Sequence, residues 1–303
     1  MTNKHKYLIV IAGPTAVGKT DVAISVAKHF NTEIISADAR QFYRELNIGT
    51  AKPSSAQLAE VKHYFINNLS IHDPYDVGLY EQEVLQVLSP LFLLHDTIIL
   101  CGGSGLYIDA VINGLDKFPE KDIEIRKQLE HKLKSEGIES LQQLLKEKDI
   151  KYYNKVDLQN PHRLIRALEV YLTTGIPYSS YTKKEPDKRG FTAIKICLNI
   201  ERPVLYQRIN ERVDKMMQSG LVEEAEKLYQ YKNIPALNTV GYKELFEYFD
   251  GEKDLKTALE EIKQHTRNYA KRQLTWFRKD QDYKIFRPEQ LDEMVAFVKQ
   301  EIK

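Results

Sequence analysis

Cysteine is scarce. The 303-residue chain holds two, Cys101 and Cys197, each inside an apolar run. That excludes a disulfide framework and a thiolate metal centre, and it fits buried thiols in a reducing cytoplasm. Long apolar runs are missing too. No segment approaches the ~20 residues of a membrane span, so no membrane partner is expected. The basic start, Met1 to Lys6, and the short apolar run behind it do not make a signal peptide, because the run leads into a glycine loop and not a cleavage site. An excess of one charge is also absent: 44 Lys and Arg against 43 Asp and Glu leave a net charge of +1. Any surface for a polyanion must therefore be local. Internal repeats and low-complexity tracts are lacking. Hydrophobic content of 42% and charged content of 29% are those of an ordinary globular chain, with a length that suits about two domains.

What is present begins with Gly13-Pro14-Thr15-Ala16-Val17-Gly18-Lys19-Thr20, which fits the phosphate-binding pattern G-x-x-x-x-G-K-[ST]. Tyr7 to Ala12 before it is a β-branched, apolar run that predicts a buried strand. Val22, Ile24, Val26, Ala27 and Phe30 after it predict a helix with an apolar face. Strand, glycine loop and helix aim backbone N–H groups and a helix N-terminus at phosphate oxygens. Gly13 and Gly18 allow the tight turn. Lys19 would reach terminal phosphates, and the Thr20 hydroxyl would hold a magnesium ion. The loop announces phosphate without naming the compound.

Further strands are expected at Glu33–Ser36, more weakly at Tyr64–Leu69, at Thr97–Cys101 and at Thr192–Asn199, with a helix over Tyr80–Leu94. This alternation predicts an α/β fold, a P-loop NTPase-like parallel sheet flanked by helices. Between Asp116 and Gly190 no strand pattern occurs, and helices are expected at Ile123–Lys134, Ser140–Lys148 and Pro161–Thr174. We therefore expect a catalytic core of residues 1–115 and 191–303 and an all-helical insertion of residues 116–190. Four more helices are expected at Pro203–Ser219, Leu221–Tyr231, Thr239–Phe249 and Leu255–Lys279.

Asp38 follows the second strand in Ser36-Ala37-Asp38-Ala39-Arg40-Gln41. Carboxyl ends of parallel strands line the ligand crevice, so Asp38 should face the phosphate loop. There it would bind magnesium through water, take a proton or accept a bond from a substrate amine; the same Asp also suits a helix cap or turn. The acidic strand end of a nucleoside triphosphatase is missing, because the best candidate ends Leu100-Cys101-Gly102. The run Gly102 to Tyr107 replaces it, with glycines for close ligand approach and Ser104 as a donor. Gln159-Asn160-Pro161-His162-Arg163 opens a helix with groups suited to a phosphate or base edge, or simply a capped solvated end. His162 has no second histidine or cysteine at metal-ligand spacing. Lys263, Arg267, Lys271 and Arg278 share a helical face and are interleaved with Tyr269, Trp276 and Phe277. That is an RNA-binding combination, or a solvated basic face over a core. At this point a small-molecule kinase and a nucleotide-switched RNA-binding protein both remain open.

Taken together, these motifs resemble the tRNA dimethylallyltransferase (tRNA isopentenyltransferase) family of bacterial type. The carriers are Gly13–Thr20, Ile34–Gln41, Gly102–Tyr107, Gln159–Arg163, Thr239-Val240-Gly241-Tyr242 and Thr266–Arg278, in order along nearly the whole chain. Ala39 stands where the family usually has Ser. The resemblance implies prenylation of N6 of the adenosine on the 3′ side of the anticodon, with dimethylallyl diphosphate as donor, magnesium as cofactor and a tRNA anticodon stem-loop as partner. It implies a cytoplasmic enzyme, and a monomer is expected. Asp38, Lys19 and Thr20 would be catalytic. The loop Gly13, Pro14, Thr15, Ala16, Val17, Gly18, Lys19 and Thr20 would hold the diphosphate, with Thr20 on the metal. Contacts to tRNA would come from Asp38, Ala39, Arg40, Gln41, Ser104 and Arg126, from Gln159, Asn160, Pro161, His162 and Arg163, and from Arg267, Lys271 and Arg278. A Cys/His zinc-finger extension, found in some relatives, does not occur in the sequence.

Overall fold

The computed structural model describes residues 5–182 and 185–302. The chain forms two compact units, Met1–Asn113 with Lys188–Lys303, and Gly114–Asp187.

The first unit carries β1 (Tyr7–Ala12), α1 (Lys19–Phe30), β2 (Ile34–Ala37), α2 (Ser55–Glu60), β3 (His63–Tyr64), α3 (Val77–Leu94), β4 (Thr97–Gly102) and α4 (Gly105–Asn113). The second unit carries α5 (Ile123–Glu136), α6 (Ile138–Lys148), α7 (Ile150–Tyr153) and α8 (Pro161–Thr174). The first then resumes with β5 (Thr192–Leu198), α9 (Arg202–Gln218), α10 (Leu221–Leu228), α11 (Tyr242–Phe249), α12 (Leu255–Phe277), β6 (Lys284–Phe286) and α13 (Leu291–Glu301).

The strands form one parallel sheet in the order β3-β2-β4-β1-β5-β6. All six residues of β1 are buried, as a central strand covered on both faces requires. Ile9 and Ile11 pack on one face with Val22 and Val26 of α1, Ile209 of α9 and Val298 of α13. Leu8 and Val10 pack on the other with Val84 and Leu88 of α3 and Val111 of α4. Each such side chain contributes about 1.5–3 kcal/mol of burial, so β1 fixes the level at which the loop leaves the sheet.

The expected strand over Tyr64–Leu69 is not formed. Only His63–Tyr64 pairs with β2. Phe65 and Asn67 take left-handed φ values of 61° and 57°, which break the ladder and leave one isolated bridge, Tyr43↔Leu69. The helix expected to start at Thr239 begins at Tyr242, behind Gly241 at φ 102°. Strand β6 and helix α13 are additions that the sequence pattern did not reveal; three residues of β6 are too few to show a period.

In the second unit, Leu129, Leu141, Leu145, Leu164 and Leu168 form a separate core. Asp122 caps α5 and Asn160 caps α8 by accepting backbone N–H bonds. Glu169 is fully buried and meets Arg166 at 3.1 Å and Arg126 at 3.7 Å. Among the described residues no helix is long and apolar enough to cross a membrane.

Candidate active site

Strand β1 ends at Ala12 and α1 starts at Lys19, with Gly18 in the N-cap position and no side chain capping the first turn. Free N–H groups at such a turn are the kind that attract anions. Gly18 has φ 104°, and Ala16 φ 63°. Gly13 has φ 150°, and a Cβ there would lie 2.7 Å from the Leu198 carbonyl oxygen, so the turn passes too close to β5 for any side chain. Lys19 Nζ donates to the Pro14 carbonyl at 2.8 Å. Desolvation pulls the Lys19 pKa down to about 8, opposed by the Cys101 thiol and the Asp38 carboxylate nearby. Cys101 is pushed up to about 12 by burial and stays a thiol.

The ends of β2 and β4 are stitched together beside this loop. Gly102 packs on Ala37, where a Cβ would come within 2.0 Å of the carbonyl oxygen. Ser104 N–H donates to that carbonyl at 3.2 Å, and Ser104 Oγ accepts the Ala39 N–H at 3.0 Å. Asp38 Oδ1 accepts the Arg40 N–H at 3.0 Å, which fixes its carboxylate at the turn. Gln41 lies below, its amide donating to the Thr50 and Ala51 carbonyls.

Two cavities meet at Asp38. One, of about 300 Å³, is polar and includes Thr15, Lys19, Thr20, Cys101 and Arg212. The other, of about 120 Å³, has Val213, Met216, Leu221 and Ile262 in its wall together with Arg40 and Tyr269. Thr15, Asp38 and Arg212 line both. A carboxylate thus stands where the polar cavity beside the glycine loop opens into a smaller, largely apolar one.

Several determinants of this geometry were not anticipated. Gln273 of α12 is buried, accepts the Thr15 N–H at 2.9 Å and donates to the Gly103 carbonyl at 2.9 Å, so it joins the phosphate loop to the β4 end. Arg212 of α9 has its pKa lowered by desolvation, with Asp38 opposing. Glu224 accepts from the N–H groups of Asn47, Ile48 and Gly49 and from the Tyr242 hydroxyl at 2.6 Å, which assigns Tyr242 a scaffold role. The available signal was a polar residue inside an apolar helical stripe, Gln273 behind Ile262 and Ala270, and Arg212 between Ile209 and Val213.

The glycines of Gly102–Tyr107 serve a different end from the one expected. A Cβ on Gly103 would lie 2.2 Å from Gln273 Nε2, and one on Gly105 2.3 Å from Trp276. They admit α12, not a ligand. Of the rings expected for base stacking, Phe277 is buried and Trp276 Nε1 donates to Asp109 at 2.8 Å. Tyr269 alone remains open, at the smaller cavity. Lys263 pairs with Asp214 at 2.8 Å, while Arg267 donates to the neutral Asn210 Oδ1 at 2.6 Å, which orients the guanidinium and leaves its charge uncompensated among the described residues. Lys271 and Arg278 face a third cavity on another side of α12. In the second unit, Arg126 also meets Glu130 at 3.1 Å, while His162 and Arg163 are exposed at the start of α8, beside Gln159, Asn160 and Pro161.

A family model described as IPP transferase matches residues 41–280. The chain belongs to the IPP transferase family. Relatives in this family include a tRNA dimethylallyltransferase of Christiangramia forsetii, 53% identical over 92% of this chain and 93% of that protein. One from Flavobacterium johnsoniae is 50% identical over 93% of each. Among solved structures, the full-length tRNA isopentenylpyrophosphate transferase of Bacillus halodurans superposes with a TM-score of 0.73 at 34% identity, covering 99% of this chain and 97% of that one. A eukaryotic dimethylallyltransferase, solved acting on tRNA, gives a TM-score of 0.79 at 25% identity over 98% and 77%. The parallel six-stranded sheet flanked by helices agrees with that membership.

Proposed function

We propose that the protein transfers a dimethylallyl group from dimethylallyl diphosphate to N6 of the adenosine 3′-adjacent to the anticodon in tRNA, releasing pyrophosphate. The observation that carries this is Asp38 at the junction of a phosphate cavity and a smaller apolar one. The relatives named as tRNA dimethylallyltransferases support it. A kinase is not favoured, since β4 ends in Gly102 where a triphosphatase places its metal-binding acid.

The chemistry follows from the wall residues. The C1–O bond of the donor breaks, a C1–N6 bond forms, and pyrophosphate departs with growing negative charge. Loop N–H groups and Lys19 would stabilise that charge as it forms. The N6 lone pair is delocalised into the adenine ring, which makes it a poor nucleophile. Asp38 would accept a hydrogen bond from the amino group, orient it and take its proton. Arg212 would balance charge on the donor side. An adenine inside a loop stack cannot reach Asp38, so the base must flip out. Arg40 and Tyr269 line the smaller cavity where it would enter, and Ser104 holds the Ala39 N–H beside them. Ala39, Gln41, Arg126 and Gln159 to Arg163 remain proposed RNA contacts.

The site suits magnesium. Thr20 and Asp38 offer oxygens to one cavity, and no group of three His, Cys, Asp or Glu side chains able to hold a metal occurs among the described residues. Magnesium asks for no such cage, because it takes one or two protein oxygens and completes its shell with water and phosphates. Thr20 would hold it, Asp38 would do so through water, and it would offset charge on the diphosphate. We take the working form to be a cytoplasmic monomer; both cysteines are free thiols.

The test is incubation with radiolabelled dimethylallyl diphosphate and unmodified tRNA, followed by nucleoside analysis. Label on adenosine is expected. Label that stays with the donor would overturn the proposal.

A further inference from the structure

A cavity of about 590 Å³ lies on the side of α12 that carries Lys271, Leu274, Thr275 and Arg278. None of its lining residues lines the phosphate-loop cavity. Arg202, at the first residue of α9, and Arg287, just after β6, complete its cationic wall. Four cations face one carboxylate, Glu201, and that carboxylate is already bound to Arg287 at 3.1 Å. Among the described residues Arg202, Lys271 and Arg278 have no ion-pair partner. On the same helix Lys263, by contrast, is paired with Asp214 at 2.8 Å. Gathering unpaired like charges into one concavity costs repulsion, which an anion in the cavity would reverse.

The shape narrows the ligand. The volume falls in the range of small-molecule sites, and the cations come from three separate chain segments around a hollow, not from a strip along one helix. Arginine forks suit phosphate oxygens bidentately. The first turn of α9 has no side-chain cap, but Pro203 in it carries no N–H, so the cationic side chains and not the helix end make the wall. Tyr206, Leu274 and Ile285 supply an apolar wall.

We propose that this cavity is a second phosphate-recognition site, separate from the Gly13–Thr20 loop, and that it takes a compact di- or triphosphate, free or carried on a nucleoside. The assignment does not depend on the prenyl transfer reaction.

The experiment is equilibrium dialysis of the full chain against inorganic triphosphate and against ATP, both without metal, at fixed ionic strength. Two equivalents per chain are expected. One is lost in Lys19→Ala and the other in the pair Arg202→Gln with Arg287→Gln, whose thermal midpoint should not fall and whose prenyl transfer rate should stay unchanged. Equal affinity for the two probes means that phosphate alone is recognised; tighter ATP binding adds the apolar wall to the site. Should the double variant fold poorly, Arg202→Gln alone should still weaken the second equivalent at least fivefold. A single equivalent that Lys19→Ala abolishes, or two that survive the arginine changes, would overturn the proposal. So would a double variant that loses affinity for an anticodon stem-loop RNA with unchanged anion stoichiometry, since the cavity would then serve RNA.

Discussion

Asp38 and Lys19 divide the work at the level of single residues. Asp38 is held at its turn by the Arg40 N–H, and its field opposes the desolvation that lowers the pKa of both Lys19 and Arg212. Asp38→Asn keeps the shape and removes the base. We expect turnover to fall about 10²–10⁴-fold, with affinity for tRNA within about threefold. A matched loss of affinity with unchanged turnover would make Asp38 a binding residue only. Lys19 adds a pH dependence. Its folded pKa of about 8 lies below the ordinary lysine value, so below pH 8 it is charged and above it is neutral. Diphosphate binding should therefore weaken as pH rises above about 8, by up to about tenfold per unit, with proton uptake visible by calorimetry in buffers of different ionisation enthalpy. The sign for stability is opposite. Between about 8 and its ordinary value the unfolded chain holds a proton that the folded chain has lost, so this group favours folding increasingly through that window. A flat affinity from pH 7 to 9.5 would show that Lys19 is not the group that meets the diphosphate.

Helix α12 is the element that organises the site. One face offers Gln273 to the phosphate loop and Trp276 to Gly105, and Tyr269 opens on the smaller cavity; Lys271 and Arg278 face elsewhere. Gln273→Leu keeps the volume but leaves the Thr15 N–H and the Gly103 carbonyl without their partner. We expect a loss of about 1–3 kcal/mol in unfolding free energy and at least a fivefold rise in the Kd for diphosphate. A variant with wild-type affinity and a lowered melting midpoint would confine Gln273 to structure. The periodicity of α12 was legible to within two residues of its end. The partner of each face was not, because period tells which residues share a side and is silent on what that side meets. The same limit explains Gly103 and Gly105, whose close neighbour is a helix some 170 positions along the chain from them.

At the scale of the whole molecule, the Gly114–Asp187 unit enters and leaves the chain at one point, since a Cβ on Gly114 would meet the Asp187 carboxylate at 2.1 Å. The unit has its own leucine core. Replacing it with a short glycine linker should leave the first unit folded, with diphosphate affinity within about threefold, and should lower tRNA affinity at least tenfold. Unchanged tRNA binding would remove the second unit from the RNA interface. By itself the sequence determined the elements whose signal is local: the apolar β1 and β4, the loop between Gly13 and Thr20, the bounds of α8, and Asp38 at a strand end. Local backbone preference and side-chain period decide those, and both act over a few residues. Only the tertiary structure decided which carboxyl ends lie side by side, that Gln273 and Arg212 join the site, that Arg267 is oriented by Asn210, and that Arg202 and Arg287 gather with Lys271 and Arg278. Those are meetings of side chains far apart in sequence, and the packing of helices on the sheet is what brings them together.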